Sequence, residues 1–176
     1  MSLHRSDCMH IRKVQAEDIS DLDNLFRVCM TDLVMRENKE KSLIEEEVDQ
    51  LNRIVQESLF DSKTALFVAE LDRQIVGTIA LKNPNLTISD NILTEPDVFE
   101  VGSVYIRLAY QRQGIGKLLF QYIKKALLRL GQTKYYLDAG FSTSQQYWRQ
   151  LLGKPSYILK NYWGEREDHH IWINNV

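Results

Sequence analysis

Hydrophobic and polar positions along the chain follow two periods, and the switches between them mark the elements. Short apolar runs rich in branched and aromatic residues, the mark of strands, occur at "HIRKV" (10–14), "TALFVAEL" (64–71), "QIVGTIAL" (74–81), "VFEVGSVYI" (98–106), "KYYLDAGF" (134–141), "SYILKNYW" (156–163) and "HHIWINN" (169–175). Helical spacing joins Leu22, Leu25, Phe26 and Cys29, and then Ile44, Val48, Leu51, Val55 and Leu59. The longest such stripe is Ile115, Leu118, Leu119, Tyr122, Ile123, Ala126, Leu127 and Leu130, closed by Gly131. A short helix ends at Gly153, with Pro155 just beyond. Capping-box spacing at Ser20 and Asp23, Ser42 and Glu45, and Ser142 and Gln145 predicts where helices begin. Asp72 and Arg73 predict a tight hairpin turn, and Asn83–Pro96, broken by Pro84, Asn85 and Asn91, predicts a loop. The order is strand, two helices, three strands, long helix, strand, helix, two strands. That predicts a mixed α/β domain with a central, mostly antiparallel sheet of about six to seven strands and about four helices.

A chain of 176 residues, 44% hydrophobic, is long enough for one well-buried domain. Residues 1–9 are expected to form a tail and residues 10–176 the domain. A net charge of -2 gives no general attraction to nucleic acid or anionic lipid, so any anion site must be local. No basic recognition helix supports a DNA-binding regulator. Cys8 and Cys29 lack the spacing of metal ligands or of a disulfide framework and read as reduced, inert thiols. Met1–His10 has no apolar signal-peptide core, and no apolar run reaches the ~20 residues of a membrane span, so a cytoplasmic protein without membrane contact is expected. His169 and His170 follow Asp168, but neighbours on a strand point to opposite faces, which argues against a shared metal ion. The acidic run Glu45, Glu46, Glu47 and Asp49 lies in the first turns of a helix, where the dipole favours carboxylates.

The chemistry concentrates at "YQRQGIGKLLF", Tyr110–Phe120, where a strand feeds a glycine loop that opens the long helix. Unpaired first-turn N–H groups and the helix dipole favour an anion there. Lys117 in the first turn, with Arg107 and Arg112 flanking, suits a phosphate. A dinucleotide fingerprint would need a third glycine at Leu119, and a triphosphate loop would need four residues between its glycines, so both fail.

Gln111, Gly114 and Gly116 do meet Gln-x-x-Gly-x-Gly. With the element order, this resembles the pyrophosphate-binding motif of the GNAT N-acetyltransferases, from about His10 to the C-terminus. The resemblance implies acetyl-CoA as cosubstrate, no metal, and an amine acceptor, either a small molecule or an amine of a peptide or protein. It allows a homodimer. It assigns Gln111, Arg112, Gln113, Gly114, Ile115, Gly116 and Lys117 to the diphosphate, and the backbone of Val104, Tyr105 and Ile106 to the pantetheine arm. Gly102 suggests a bulge or a close backbone approach, and a bulge would open the strand edge. Transfer to an amine needs a base for an ammonium of pKa roughly 10, donors for the carbonyl oxygen, and a proton for the leaving thiolate. Backbone N–H groups near Val104 are candidates for the carbonyl. Glu100 resembles the family's strand glutamate that acts as base, directly or through water; otherwise it is a solvated strand carboxylate. Tyr147 is the candidate acid in "QQYWRQLLGKP", where the family's Tyr-x-x-x-Gly-Phe is displaced and Trp148 occupies the adjacent position; otherwise Tyr147 is a packing residue. In the family the first two helices border the acceptor pocket, so the acidic run admits a cationic acceptor. A non-enzymatic acyl-CoA-binding module is the alternative, keeping the loop without Glu100 and Tyr147.

Overall fold

The computed structural model describes residues 8–61 and 63–176, so most of the expected tail lies outside the described residues. The elements are β1 (His10–Lys13), a 3-10 turn (Ala16–Asp18), α1 (Ile19–Arg36), α2 (Ser42–Phe60), β2 (Ala65–Leu71), β3 (Gln74–Lys82), α3 (Leu86–Asn91), β4 (Glu100–Ile106), a second 3-10 turn (Leu108–Tyr110), α4 (Ile115–Arg129), β5 (Lys134–Ala139), α5 (Ser142–Leu152), β6 (Tyr157–Gly164) and β7 (Glu167–Asn175). The strands form one seven-stranded sheet in the order β1-β2-β3-β4-β5-β7-β6. The β4–β5 pair is parallel, and β1–β2, β2–β3, β5–β7 and β6–β7 are antiparallel. Two compact units share this chain. One comprises residues up to Leu81 with Ser103–Lys125, the other Lys82–Gly102 with Ala126–Val176.

In the first unit, β2 and β3 form the expected hairpin, with Leu71 opposite Gln74. Asp72 and Arg73 both have left-handed φ (50° and 65°), the turn whose twist matches that of paired strands. Helices α1 and α2 pack on one another and α2 on β2, and the Leu66 N–H donates to the buried Ser58 hydroxyl at 2.7 Å. Phe26 of α1 meets Tyr105 edge-on, whereas Leu119 of α4 and Ile106 converge on Gly77. Tyr105 and Ile106 are strand neighbours and point to opposite faces, so α1 and α4 cover the two sides of the strands. Coverage on both faces explains why Ile75–Leu81 is buried without interruption instead of alternating.

In the second unit, Ile88, Ile92, Val98, Tyr136 and Ile171 form the core, with Leu159 and Ile173 packed against it. Here the expected loop over Asn83–Pro96 is overturned, because Leu86–Asn91 is helical. Asn85 breaks the pattern by capping this helix, its side-chain oxygen accepting from the Ile88 N–H at 3.0 Å. Six residues are too few for a legible stripe, and only Ile88 is buried. At the end of α4, Gly131 (φ 72°) lets Gln132 N bond Leu127 O and Gly131 N bond Leu128 O, the closure its position predicts.

The three expected capping boxes do not cap. Ser20 lies inside α1, and the α1 entrance is held instead by Asp18, which accepts from Gln15 N at 2.8 Å and from Arg12 at 2.7 and 2.9 Å. Glu45 pairs with Arg27. Gln145 donates to Ala139 O and Asp168 O at 3.1 and 2.8 Å. For Glu45 and Gln145 a partner distant in sequence takes the polar group that the local pattern assigned to the cap. The expected irregularity at Gly102 falls one residue later: Ser103 has φ 54°, and its carbonyl accepts from Thr78 Oγ1 at 2.7 Å.

Candidate functional site

The glycine loop is built from the end of β4 onward. Arg107 is fully engaged there: its N–H bonds Val76 O at 2.8 Å, its Nε bonds Ile75 O at 2.9 Å, and its guanidinium reaches Asp21 at 2.8 Å. It therefore clamps β3 and α1 to the loop entrance and does not join the cations expected to face a phosphate. Gln111 turns its amide back onto Ile106 O at 3.0 Å, and Gln113 does the same onto Ala109 O at 3.1 Å. Both glutamines thus shape the loop through its own carbonyls. Arg112 (φ 63°) and Gly114 (φ 85°) are left-handed, and nothing stands within 4 Å of where a Gly114 side chain would begin. Gly114 is needed for its backbone conformation, and it leaves an open approach at the loop surface.

Gly114 O accepts the first helical bond, from Leu118 N at 3.1 Å. The N–H groups of Ile115, Gly116 and Lys117 therefore precede any intrahelical acceptor. Buried Ile115 and Leu119 anchor this turn, while Arg112 and Lys117 are exposed beside it. The arrangement fits a diphosphate: free donors, the positive end of a fifteen-residue helix, two exposed cations and an uncovered glycine. At the end of β4, Ile106 O also receives the Cys29 thiol at 3.3 Å. Burial pushes that thiol up to about 11, so it stays protonated.

Glu100 begins β4 in the second unit and is 2% exposed, which removes the reading as a solvated carboxylate. Lys82 Nζ donates to Oε1 at 2.7 Å, Asn85 N donates to Oε2 at 2.7 Å, and Asn85 Nδ2 reaches Oε1 at 3.2 Å. Burial raises its pKa to about 7; the Lys82 charge opposes the rise and the Asp138 charge adds to it. The carboxylate folds over Gly102, where a Cβ would lie 2.9 Å from Oε1. Gly102 therefore supplies room for Glu100.

The network continues through Asn85. Its Nδ2 donates to Asp138 Oδ2 at 2.9 Å, the same oxygen that meets His169 Nε2 at 2.8 Å, and Trp163 Nε1 donates to His169 Nδ1 at 3.0 Å. Lys82, Asn85, Asp138 and Trp163 were not singled out from sequence. One signal was present: Asp138 interrupts the apolar run of β5, and a carboxylate at a largely shielded strand position needs a partner. His169 and His170 are both buried but face different surroundings. His170 lies against Trp172, and its Nδ1 has no hydrogen-bond partner among the described residues. Among those residues no group of three or more His, Cys, Asp or Glu is placed to hold a metal ion.

Tyr147 and Trp148 on α5 divide the roles expected of one position. Trp148 is buried, whereas Tyr147 is 38% exposed and meets the Trp148 ring edge-on; burial raises the phenol pKa. On α2, Glu45 is engaged by Arg27, which weakens the case for a cation-attracting acidic run. No helix among the described residues is long and apolar enough to cross a membrane.

The family model described as Acetyltransferase (GNAT) family matches residues 21–154. A search of curated protein sequences gives no match. Among solved structures, a protein of the GNAT family from Desulfovibrio desulfuricans is similar with a TM-score of 0.73 at 16% identity, over 96% of this chain and 99% of that one. PaiA N-acetyltransferase from Thermoplasma acidophilum, in complex with coenzyme A, is similar with a TM-score of 0.69 at 16% identity, over 95% and 99%. The ribosomal-protein-S18-alanine N-acetyltransferase from Escherichia coli is similar with a TM-score of 0.64 at 14% identity, over 96% and 94%.

Proposed function

Because the chain belongs to the acetyltransferase (GNAT) family, we propose that it transfers the acetyl group of acetyl-CoA to an amine, of a small molecule or of a peptide or protein, by direct attack on the thioester. The observation that carries this reading is Glu100: a buried carboxylate whose pKa is raised to about 7 can take a proton at neutral pH, which a module that only binds acyl-CoA has no need of.

Acetyl-CoA supplies the acetyl group as an activated thioester. The first-turn N–H groups of α4, with Arg112 and Lys117, hold its diphosphate. Backbone groups of Val104, Tyr105 and Ile106 align the pantetheine arm, and an N–H near Val104 polarises the carbonyl. Glu100 takes the proton of the acceptor ammonium. Both its oxygens are already hydrogen-bonded and its surface is closed, so that proton arrives through water. As the nitrogen–carbon bond forms and the carbon–sulfur bond breaks, the electron pair leaves with sulfur and the Tyr147 hydroxyl protonates the thiolate; the second proton of the nitrogen, released as the amide forms, restores the Tyr147 phenol through solvent.

The mechanism is tested by initial velocities measured over both substrates. Direct attack requires both to be bound together, so double-reciprocal lines intersect. Parallel lines, the mark of a covalent acetyl-enzyme, would overturn it.

A further inference from the structure

The chain from Glu100 to Trp163 is built from groups that are costly to bury. Glu100 is buried, and its partner Lys82 and the neighbouring Asp138 are largely shielded from solvent within the same unit, where apolar residues would stabilise a fold at least as well. Asp138 takes its hydrogen bonds from Asn85 Nδ2 and His169 Nε2. The state of His169 follows from its other bond. An indole N–H can only donate, so the Nδ1 that receives Trp163 carries no proton; the imidazole is then neutral, with its hydrogen on Nε2 facing Asp138. A ring protonated at both nitrogens would have to give up the Trp163 bond. The contact is tightly fitted: a Cβ at Gly140 would lie 3.1 Å from both His169 Nδ1 and Trp163 Nε1.

The groups that bear on Glu100 come from four elements. Lys82 lies at the end of β3, Asn85 at the cap of α3, Asp138 on β5, and His169 on β7 behind Asp138. Of these, Lys82 is the cation and Asp138 the like charge. We propose that Asp138, His169 and Trp163 are positioning residues that act on Glu100 through Asn85, keeping a second carboxylate charged beside it so that Glu100 stays fixed in place and strongly basic. This inference deepens the reading of Glu100 as the base and rests on it. Trp163 is 56% exposed, so the surface end of the chain can be changed with little disturbance to packing.

The test titrates the Glu100 carboxyl carbon by NMR in the full-length chain labelled with carbon-13 at glutamate, using Glu100→Gln to assign the signal. Asp138→Asn should lower the midpoint by about one pH unit, because a nearby like charge is lost. Trp163→Phe should lower it by less, because His169 is freed to take a proton and neutralise Asp138. Adding His169→Gln to Trp163→Phe should bring the midpoint back towards the wild-type value, since glutamine cannot become charged. The acid limb of the kcat/KM profile should move in the same direction in each variant, a response that lost packing alone would not give. Midpoints unchanged in both Asp138→Asn and Trp163→Phe, or no return in the double variant, would overturn the inference. An acid limb that survives in Glu100→Gln would instead overturn the reading of Glu100 as the base.

Discussion

Gly114 is the residue whose backbone decides the loop, and its replacement separates shape from charge. An L side chain at φ 85° costs roughly 1–2 kcal/mol, and it would also intrude on the open approach. Gly114→Ala should therefore weaken coenzyme A binding about tenfold or more by calorimetry while the protein stays folded; unchanged affinity would remove the loop from the cosubstrate site. Tyr147→Phe removes one oxygen and little volume. If the hydroxyl protonates the thiolate, turnover should fall on the order of 10²–10⁴-fold with acetyl-CoA affinity kept. Near-normal turnover would reduce Tyr147 to its ring contact with Trp148. At this scale the sequence pointed to candidate residue types for the chemistry and to little of what they touch. Glu100 and Gly114 were legible from their place before and within the loop. Arg107 was not, because its partners Ile75, Asn24 and Asp21 are distant in the chain. The purpose of Gly102 was hidden for a related reason: it serves the side chain of Glu100 and not the course of the backbone.

Helices and strands were legible wherever the periodic signal was long. Helix α4 declares itself by eight apolar positions and a terminal glycine, and β3 by an unbroken apolar run. Helix α3 did not, since one turn and a half capped by Asn85 looks like a loop of turn-forming residues. Yet that short helix places Asn85 between Glu100 and Asp138. Strand β7 carries a separate expectation. Burial lowers the pKa of His170 below its ordinary value, with Arg149 adding to the effect and Asp168 opposing it. The unfolded chain therefore binds this proton more readily than the folded one. Its contribution to stability is complete above about 6.5 and is lost as pH falls from there through the folded value. Thermal melts between pH 7.5 and 5 should show a decline that is shallower in His170→Phe; parallel profiles would mean that His170 does not govern it.

For the whole molecule, a single seven-stranded sheet and an Acetyltransferase (GNAT) family match over residues 21–154 give acetyl transfer as the reaction class. The order of elements carried this much in the sequence, because each strand and each long helix left its own period. The acceptor was not legible, since it is recognised by side chains brought together from many elements. The α2 run that hinted at a cation is partly occupied by its own ion pair. The central claim is that the protein consumes acetyl-CoA in the presence of an amine. The most direct measurement is thiol release from acetyl-CoA across a panel of polyamines, aminoglycosides, amino acids and peptide N-termini, with mass spectrometry of each acceptor. Slow release without acceptor, accelerated by one class of amine that gains 42 mass units per transfer (roughly, the acetyl group replacing one hydrogen) and suppressed in Glu100→Gln below the acceptor's pKa, is the predicted result. Tight acetyl-CoA binding with no amine stimulating release and no acetylated product would contradict it and leave an acyl-CoA-binding module.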